Sequence, residues 1–400
     1  MTDDSAKAAK AASASGPGPR FTDLVQALPA AVPFVGPDTM ERQSGQPFRV
    51  RLGANENGFG PSPLAIRAMQ DAVAEVWKYG DGESHDLRAA LSKHLDVPMA
   101  NLLVGEGIDG LLGVLVRLTV APGDRVVTSA GAYPTFNYHV TGHGGELVTR
   151  PYVEDREDPA SLFAAARDSG AKLVYLANPD NPMGTWHEGP ALEAALNDLP
   201  TGTTLVLDEA YIEFAPKGTA APIAPRVDPE DGRVIRMRTF SKAYGLAGAR
   251  IGYVIAPAHV ITAFHKLRNH FGVNRLAQAG ALAALKDQAH LDWVVDQVAR
   301  ARERLAAIAA DEGLRALPSA ANFVAIDCGG DPGPDGKMLA HRVLEALNRR
   351  GVFVRMPFVA PQNRCIRVTC GTPEDLDLFT REFPPALAEA RGDHAAQVAG

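Results

Sequence analysis

Cysteine is scarce in this chain: 400 residues hold three, Cys328, Cys365 and Cys370. Their number and spacing match neither a disulfide framework nor a zinc site. They read as small apolar core residues of a reducing compartment. A basic excess is missing too. The formal net charge is −7, which leaves no basic footprint for nucleic acid. No apolar run reaches the length of a membrane span. The opening Met1-Thr-Asp-Asp-Ser5 has neither the basic nor the apolar region of a secretory leader, so the cytoplasm is expected. What is present is the composition of an ordinary soluble protein, with 46% hydrophobic and 22% charged residues.

Residues 1–20 are rich in Ala, Ser, Gly, Pro and Lys and read as a disordered tail. Phe21 to Pro33 has apolar residues at helical spacing, and 21–63 is expected to form an arm and a segment packing with a small domain. From residue 64 the pattern alternates. Helical periods at Pro63–Val76, Leu87–Leu95, Ser161–Asp168 and Ala191–Leu199 are interspersed with short apolar strands. These strands are Asn101–Val104, Arg125–Thr128, Glu146–Thr149, Leu173–Leu176, Thr204–Leu207 and Val234–Met237. The alternation predicts an α/β domain over 64–272, a mostly parallel sheet with helices on both faces. Over 273–400 the texture changes. A long Ala-rich helical stretch runs to Ile308, followed by strands at Asn322–Ile326, Val352–Arg355 and Cys365–Thr369 and a helix at Met338–Asn348. This predicts a smaller α+β domain.

The segment Arg238-Thr-Phe-Ser-Lys-Ala-Tyr-Gly-Leu-Ala-Gly-Ala-Arg-Ile-Gly252 carries the clearest chemistry. Lys242 follows a β-branched run, with Thr239 and Ser241 before it and Arg250 after it. A lysine beside hydroxyls and a fixed cation suits a carbonyl compound that bears a phosphate. The amine forms the Schiff base, and the hydroxyls and guanidinium grip the anion. That describes pyridoxal phosphate.

In open parallel sheets, ligands bind beyond the carboxyl ends of the strands. The other candidates fall there. Asp208 ends a strand and is suited to hold the proton on the cofactor's ring nitrogen. Tyr211 and Asn181, the latter within Asn178-Pro-Asp-Asn-Pro-Met-Gly184, are placed to donate to the ring's phenolate. The Gly105–Gly110 loop offers free amides at a helix start. Tyr133 is placed to stack on the ring. Read singly, each has a plainer alternative: a solvated Asp, packing tyrosines, Asn-Pro turns, a glycine turn.

These motifs resemble fold-type-I pyridoxal-phosphate aminotransferases of class I/II, and within them the histidinol-phosphate aminotransferase group. The resemblance rests on Asn178–Gly184, Asp208-Glu-Ala-Tyr211 and Thr239–Arg250. It also rests on Leu52-Gly-Ala-Asn-Glu-Asn57, Ala321-Asn-Phe-Val324, Gly351-Val-Phe-Val-Arg355 and Ile366-Arg-Val-Thr-Cys-Gly-Thr372. It covers about residues 50–380.

It implies a PLP-transferase type I fold and a homodimer. The cofactor would be held by Gly107, the Ile108 and Asp109 amides, Tyr133, Asn181, Asp208, Tyr211, Thr239, Ser241, Lys242 and Arg250. Tyr79 would reach the neighbouring subunit's phosphate. Asn55, Asn322, Arg355 and Arg367 would face the substrate. The implied reaction is ping-pong transfer of an amino group from an amino acid, or a histidinol-phosphate-like amine, to a 2-oxo acid through a Schiff base on Lys242. The alternative is a lyase of the same fold, similar to phosphothreonine decarboxylase. The segments Asn55–Gly58, Tyr79-Gly80, Arg268–Asn274 and Met356–Pro361 depart from the group's pattern. The apolar Met356–Pro361 loop suits a donor with an apolar or aromatic side chain at least as well.

Overall fold

The structure is a computed structural model that describes residues 18–29, 35–333 and 335–392. Most of the predicted tail, residues 1–17, lies outside the described residues. The chain divides into two units, Met1–Val32 and Pro33–Gly400. In the first, a short helix spans Asp23–Ala27, capped by the Thr22 side chain, which accepts from Val25 N. It ends at Leu28, which is extended. Pro29 follows and disfavours a helical residue before it. The helix seen here is therefore shorter than the predicted Phe21–Pro33, of which residues 30–33 lie outside the described residues.

In the second unit the strands are β1 (Val50–Arg51), β2 (Leu102–Gly105), β3 (Arg125–Ser129), β4 (Glu146–Arg150), β5 (Leu173–Ala177), β6 (Thr204–Asp208), β7 (Val234–Thr239), β8 (Gly252–Ile255), β9 (Arg315–Ala316), β10 (Phe323–Asp327), β11 (Val352–Phe353) and β12 (Cys365–Thr369). Among the described residues, a seven-stranded sheet runs in the order β2-β8-β7-β6-β5-β3-β4. In it β8 alone runs opposite to the other strands. The sequence pattern does not single out β8. The link from β7 contains only a 3-10 turn at Ala247–Ala249. Without a crossover helix the chain returns antiparallel.

Side-chain alternation explains why both faces are covered. On β5, Leu173, Tyr175 and Ala177 enter one core with Leu112, Phe136 and Val206. Val174 and Leu176 enter another with Leu162, Leu192 and Leu205. Burying each large apolar side chain contributes about 1.5–3 kcal/mol. Phe136 stacks on Tyr175 with ring centroids 4.7 Å apart, an arrangement that adds about 1 kcal/mol.

The predicted long helical stretch is two helices, Arg275–Lys286 and Gln288–Asp311. Asp287 separates them, its side chain accepting from His290 N as the second helix's cap. Antiparallel β12-β10-β9 forms a separate three-stranded sheet. β1 pairs in parallel with β11, Val50 opposite Val352, so the segment before residue 63 is stitched to a strand some 300 residues later.

Candidate active site

The end of β6 delivers two adjacent acidic residues to opposite fates. Glu209 is fully buried between Arg236, at 3.0 Å, and Arg238, at 2.8 Å. Burial alone would raise its pKa, but the two guanidinia outweigh it and hold it low. Its charge is thereby committed to the fold. Among the described residues, Asp208 forms no ion pair of this kind, although Lys242 draws its pKa down a little. Burial pushes it up to about 6, countered in part by the Tyr175 hydroxyl and the Ala210 amide. Tyr175 Oη donates to Oδ2 at 2.6 Å, and Ala210 N donates to Oδ1 at 2.9 Å. Tyr175 escaped the sequence reading. Its role shows only in the strand pairing, where it shares a face of neighbouring parallel strands with Val206 and Asp208.

Lys242 is half-buried at the turn after β7, its Nζ 3.2 Å from the Asn55 carbonyl oxygen and 5.6 Å from the Tyr211 ring centre. Burial lowers its pKa to about 8, helped by Arg367 and Arg250 and opposed by Glu56 and Asp208. Such an amine is partly unprotonated near neutrality and so is a usable nucleophile and base.

Asn55 ties the surroundings together. Its Nδ2 donates to Tyr211 Oη at 3.0 Å, and its own amide donates to Thr369 Oγ1 at 3.1 Å. Asn322 Nδ2 donates to the carbonyls of Asn55, at 3.1 Å, and Glu56, at 3.3 Å. Asn181 Nδ2 also reaches Tyr211 Oη, at 3.5 Å, and its Oδ1 accepts from Arg367 Nη1 at 2.6 Å. Arg367 Nη2 donates to the Gly53 carbonyl at 3.0 Å. Among the described residues, Arg367 Nε and Asn322 Oδ1 are buried with no hydrogen-bond partner. Buried polar atoms are rarely left so, and these two belong to residues expected to face the substrate. Arg355 exchanges backbone hydrogen bonds with Arg367, at 3.2 and 2.6 Å. Its pKa is drawn down to about 10 by burial and by Arg367.

An anion-binding end lies at the helix Gly107–Thr119, whose start has no side-chain cap. Gly107 has φ +75°, and a Cβ there would sit 2.8 Å from Arg250 Nη2. Only glycine allows the guanidinium this close to the free amides of Ile108 and Asp109. The Asp109 side chain turns away to His139, 2.8 Å from its Nε2. The Ser241 hydroxyl is held by Thr239, Oγ to Oγ1 at 2.9 Å. Tyr133 is half-buried; burial raises its pKa, and Asp109, Asp208 and Arg250 all act on it.

Hydrogen bonds and charge contacts link the predicted residues around Lys242: Asn55, Asn181, Asn322 and Arg367 around Tyr211, and Asp208 and Arg250 within electrostatic reach of the amine. Tyr79 is 77% exposed and packs on Phe271, ring centroids 4.8 Å apart. Uncharged donors and a guanidinium at one end, a buried carboxyl held near pKa 6 and an amine near pKa 8 form a donor set that fits a phosphate-bearing heteroaromatic aldehyde.

The profile of the family described as aminotransferase class I and II matches residues 49–383. The chain belongs to that family. It is 38% identical to a histidinol-phosphate aminotransferase of an Anaeromyxobacter species, over 87% of this chain and 93% of that one. It is 32% identical to the enzyme of that name from Moorella thermoacetica, over 92% and 94%. The solved structure of histidinol-phosphate aminotransferase from Sinorhizobium meliloti, in complex with pyridoxal-5'-phosphate, superposes with a TM-score of 0.87 at 50% identity, covering 92% of this chain and 98% of that one. The aminotransferase reading of the sequence, and its mostly parallel helix-flanked fold, therefore stand. Among the described residues of this aminotransferase, no helix is long and apolar enough to cross a membrane.

Proposed function

We propose that this aminotransferase uses pyridoxal 5'-phosphate to move an amino group from a histidinol-phosphate-like amine to a 2-oxo acid. One observation carries the reading: Lys242 and Asp208, at the ends of neighbouring strands, are both held near neutrality in a cleft that ends in an anion cradle. The cofactor, when bound, supplies a carbonyl that condenses with amines and a ring that delocalises the electron pair left at the donor's Cα.

The protein's residues do the rest. Gly107, the amides of Ile108 and Asp109, Thr239, Ser241 and Arg250 anchor the phosphate. Tyr133 covers one face of the ring. Asp208, oriented by Tyr175, holds a proton at the ring nitrogen. Tyr211, fixed by Asn55 and Asn181, donates to the ring oxygen. Lys242 Nζ takes the proton from the donor's Cα, a task that suits a base titrating near 8. Arg367 offers its unsatisfied Nε to the substrate, beside Asn322, and Arg355 extends the cationic surface outward.

The reading includes a cofactor domain over 64–272, a smaller domain over 273–400 with the 21–63 segment against it, and a cytoplasmic homodimer in which Tyr79 serves the neighbouring subunit. Tyr79 supports it by lying exposed in the subunit itself.

The test is a half-reaction screen of the holoenzyme with histidinol phosphate, phenylalanine, tyrosine and leucine. Loss of the cofactor's visible absorbance with histidinol phosphate, restored by a 2-oxo acid, is the expected result. Bleaching by the aromatic donors alone would move the substrate to that class. Release of CO₂ without an oxo product would make the chain a lyase.

A further inference from the structure

The Met356–Pro361 loop, between Arg355 and the strand that carries Arg367, is held by a charge cluster outside the site described above. Arg364 donates from Nη2 to both oxygens of Asp155, at 2.8 Å each. Its Nε donates to Asp327 Oδ2 at 3.0 Å, and its Nη1 to the Pro361 carbonyl at 3.0 Å. Arg315 adds a 3.2 Å contact to Asp327. Arg364 and Asp155 are only 15% and 16% exposed. One guanidinium thus joins three elements: the 153–156 turn after β4, the end of β10, and the loop itself.

The turn is built for that partner. Glu154 and Asp155 are consecutive non-glycine residues with φ of +49° and +64°. L-residues adopt this region only when their surroundings hold them there. The holding contacts are the paired backbone hydrogen bonds between Val153 and Arg156, the Thr185 hydroxyl on the Asp155 carbonyl, and the Arg364 fork. The start of the loop is anchored separately: Met356 and Pro357 are buried, and Met356 joins the main core. Further on, a Cβ on Gly131 would meet Val359 Cβ at 3.1 Å, so Val359 rests on the turn that presents Tyr133. Phe358 next to it is 79% exposed.

We propose that the Asp155–Arg364 pair is a latch that positions the 356–361 loop over the substrate side of the cleft and thereby sets amino-donor affinity. Asp155 and Arg364 are positioning residues. They act through Pro361 and touch neither the donor nor the cofactor. The inference rests on the aminotransferase reading of the cleft.

The test uses full-length holoenzyme with Asp155→Asn, which keeps the shape and removes the charge, and Arg364→Lys, which keeps the charge and removes the fork. In both, KM for histidinol phosphate or phenylalanine is expected to rise about tenfold or more with kcat nearly unchanged, the pattern of lost binding rather than lost chemistry. The visible cofactor spectrum and its pH titration stay as in wild type. Deuterium uptake at 356–363 rises while uptake in β5, β6 and β7 does not. Unchanged KM overturns the proposal, whether or not exchange rises. So does a KM rise accompanied by cofactor loss, which marks general destabilisation. Failure of the underlying reading is seen separately, as a wild-type enzyme that no donor bleaches, and it removes the donor-affinity claim with it.

Discussion

The two rims of the cleft are built differently. On the cofactor side, most functional side chains sit at a strand end or on the turn after it and are fixed by short hydrogen bonds: Tyr175, within β5, to Asp208, Asn55 to Tyr211, Thr239 to Ser241. On the outer side, the segments 268–274 and 356–361 are loops that show aromatic surface, with Phe271 57% and Phe358 79% exposed. They are tethered by guanidinium groups, Arg268 to the Gly82 carbonyl at 2.5 Å and Arg364 to Asp155. Strand ends hold atoms where chemistry needs them, and loops on tethers can be re-shaped for a different donor without disturbing the sheet.

The largest expected break in this contrast is Lys242→Ala, which should lower kcat by about a thousandfold or more, measured in single-turnover reactions with a donor. The same lysine governs pH dependence. Its pKa is lowered from 10.5 to about 8, so in cofactor-free protein its stabilising share is present above 10.5 and is lost as pH falls through about 8. Lys242→Met should therefore flatten the slope of stability against pH between about 8 and 10.5, by up to about 3 kcal/mol, read by urea unfolding across that window. Next is Gly184→Ala. A Cβ there would lie 2.4 Å from Ser319 Oγ at φ +79°, and stability should fall by about 2 kcal/mol, seen as a lower Tm. Tyr175→Phe removes the donor that restrains Asp208, so the Asp208 pKa rises further and kcat should fall about tenfold, with a matching shift in the acidic limb of its pH profile. The smallest effect on stability is expected for Phe358→Ala, within about 0.5 kcal/mol by denaturant titration, while the ranking of donors in the half-reaction screen changes. If Phe358→Ala instead destabilises like Gly184→Ala, the contrast between the rims collapses.

Much of the cofactor side was legible in the sequence. The parallel sheet followed from short apolar runs with no polar face, and Asp208, Lys242 and the Asn178–Gly184 turn followed from their places just after those runs. Tyr175 was hidden because it sits inside such a run, where a tyrosine looks like packing until the neighbouring strand is known. β8 was hidden because four residues after a long motif carry no periodicity of their own. Asp287 was hidden because an aspartate in an Ala-rich helical stretch looks like one solvated position rather than a cap.

By itself, the sequence determined which chemistry the chain carries: a lysine, a carboxylate and an anion grip in strand-end order, because strand periodicity and glycine placement are local properties. Only the tertiary structure decided how those groups behave. Burial without an arginine partner lifts Asp208, and two arginines from the next strand hold Glu209 low although it is the adjacent residue. The Arg364 fork, clasping residues far away along the chain, holds the outer loop in place. Desolvation and charge pairing depend on neighbours brought together by folding, which no local pattern records.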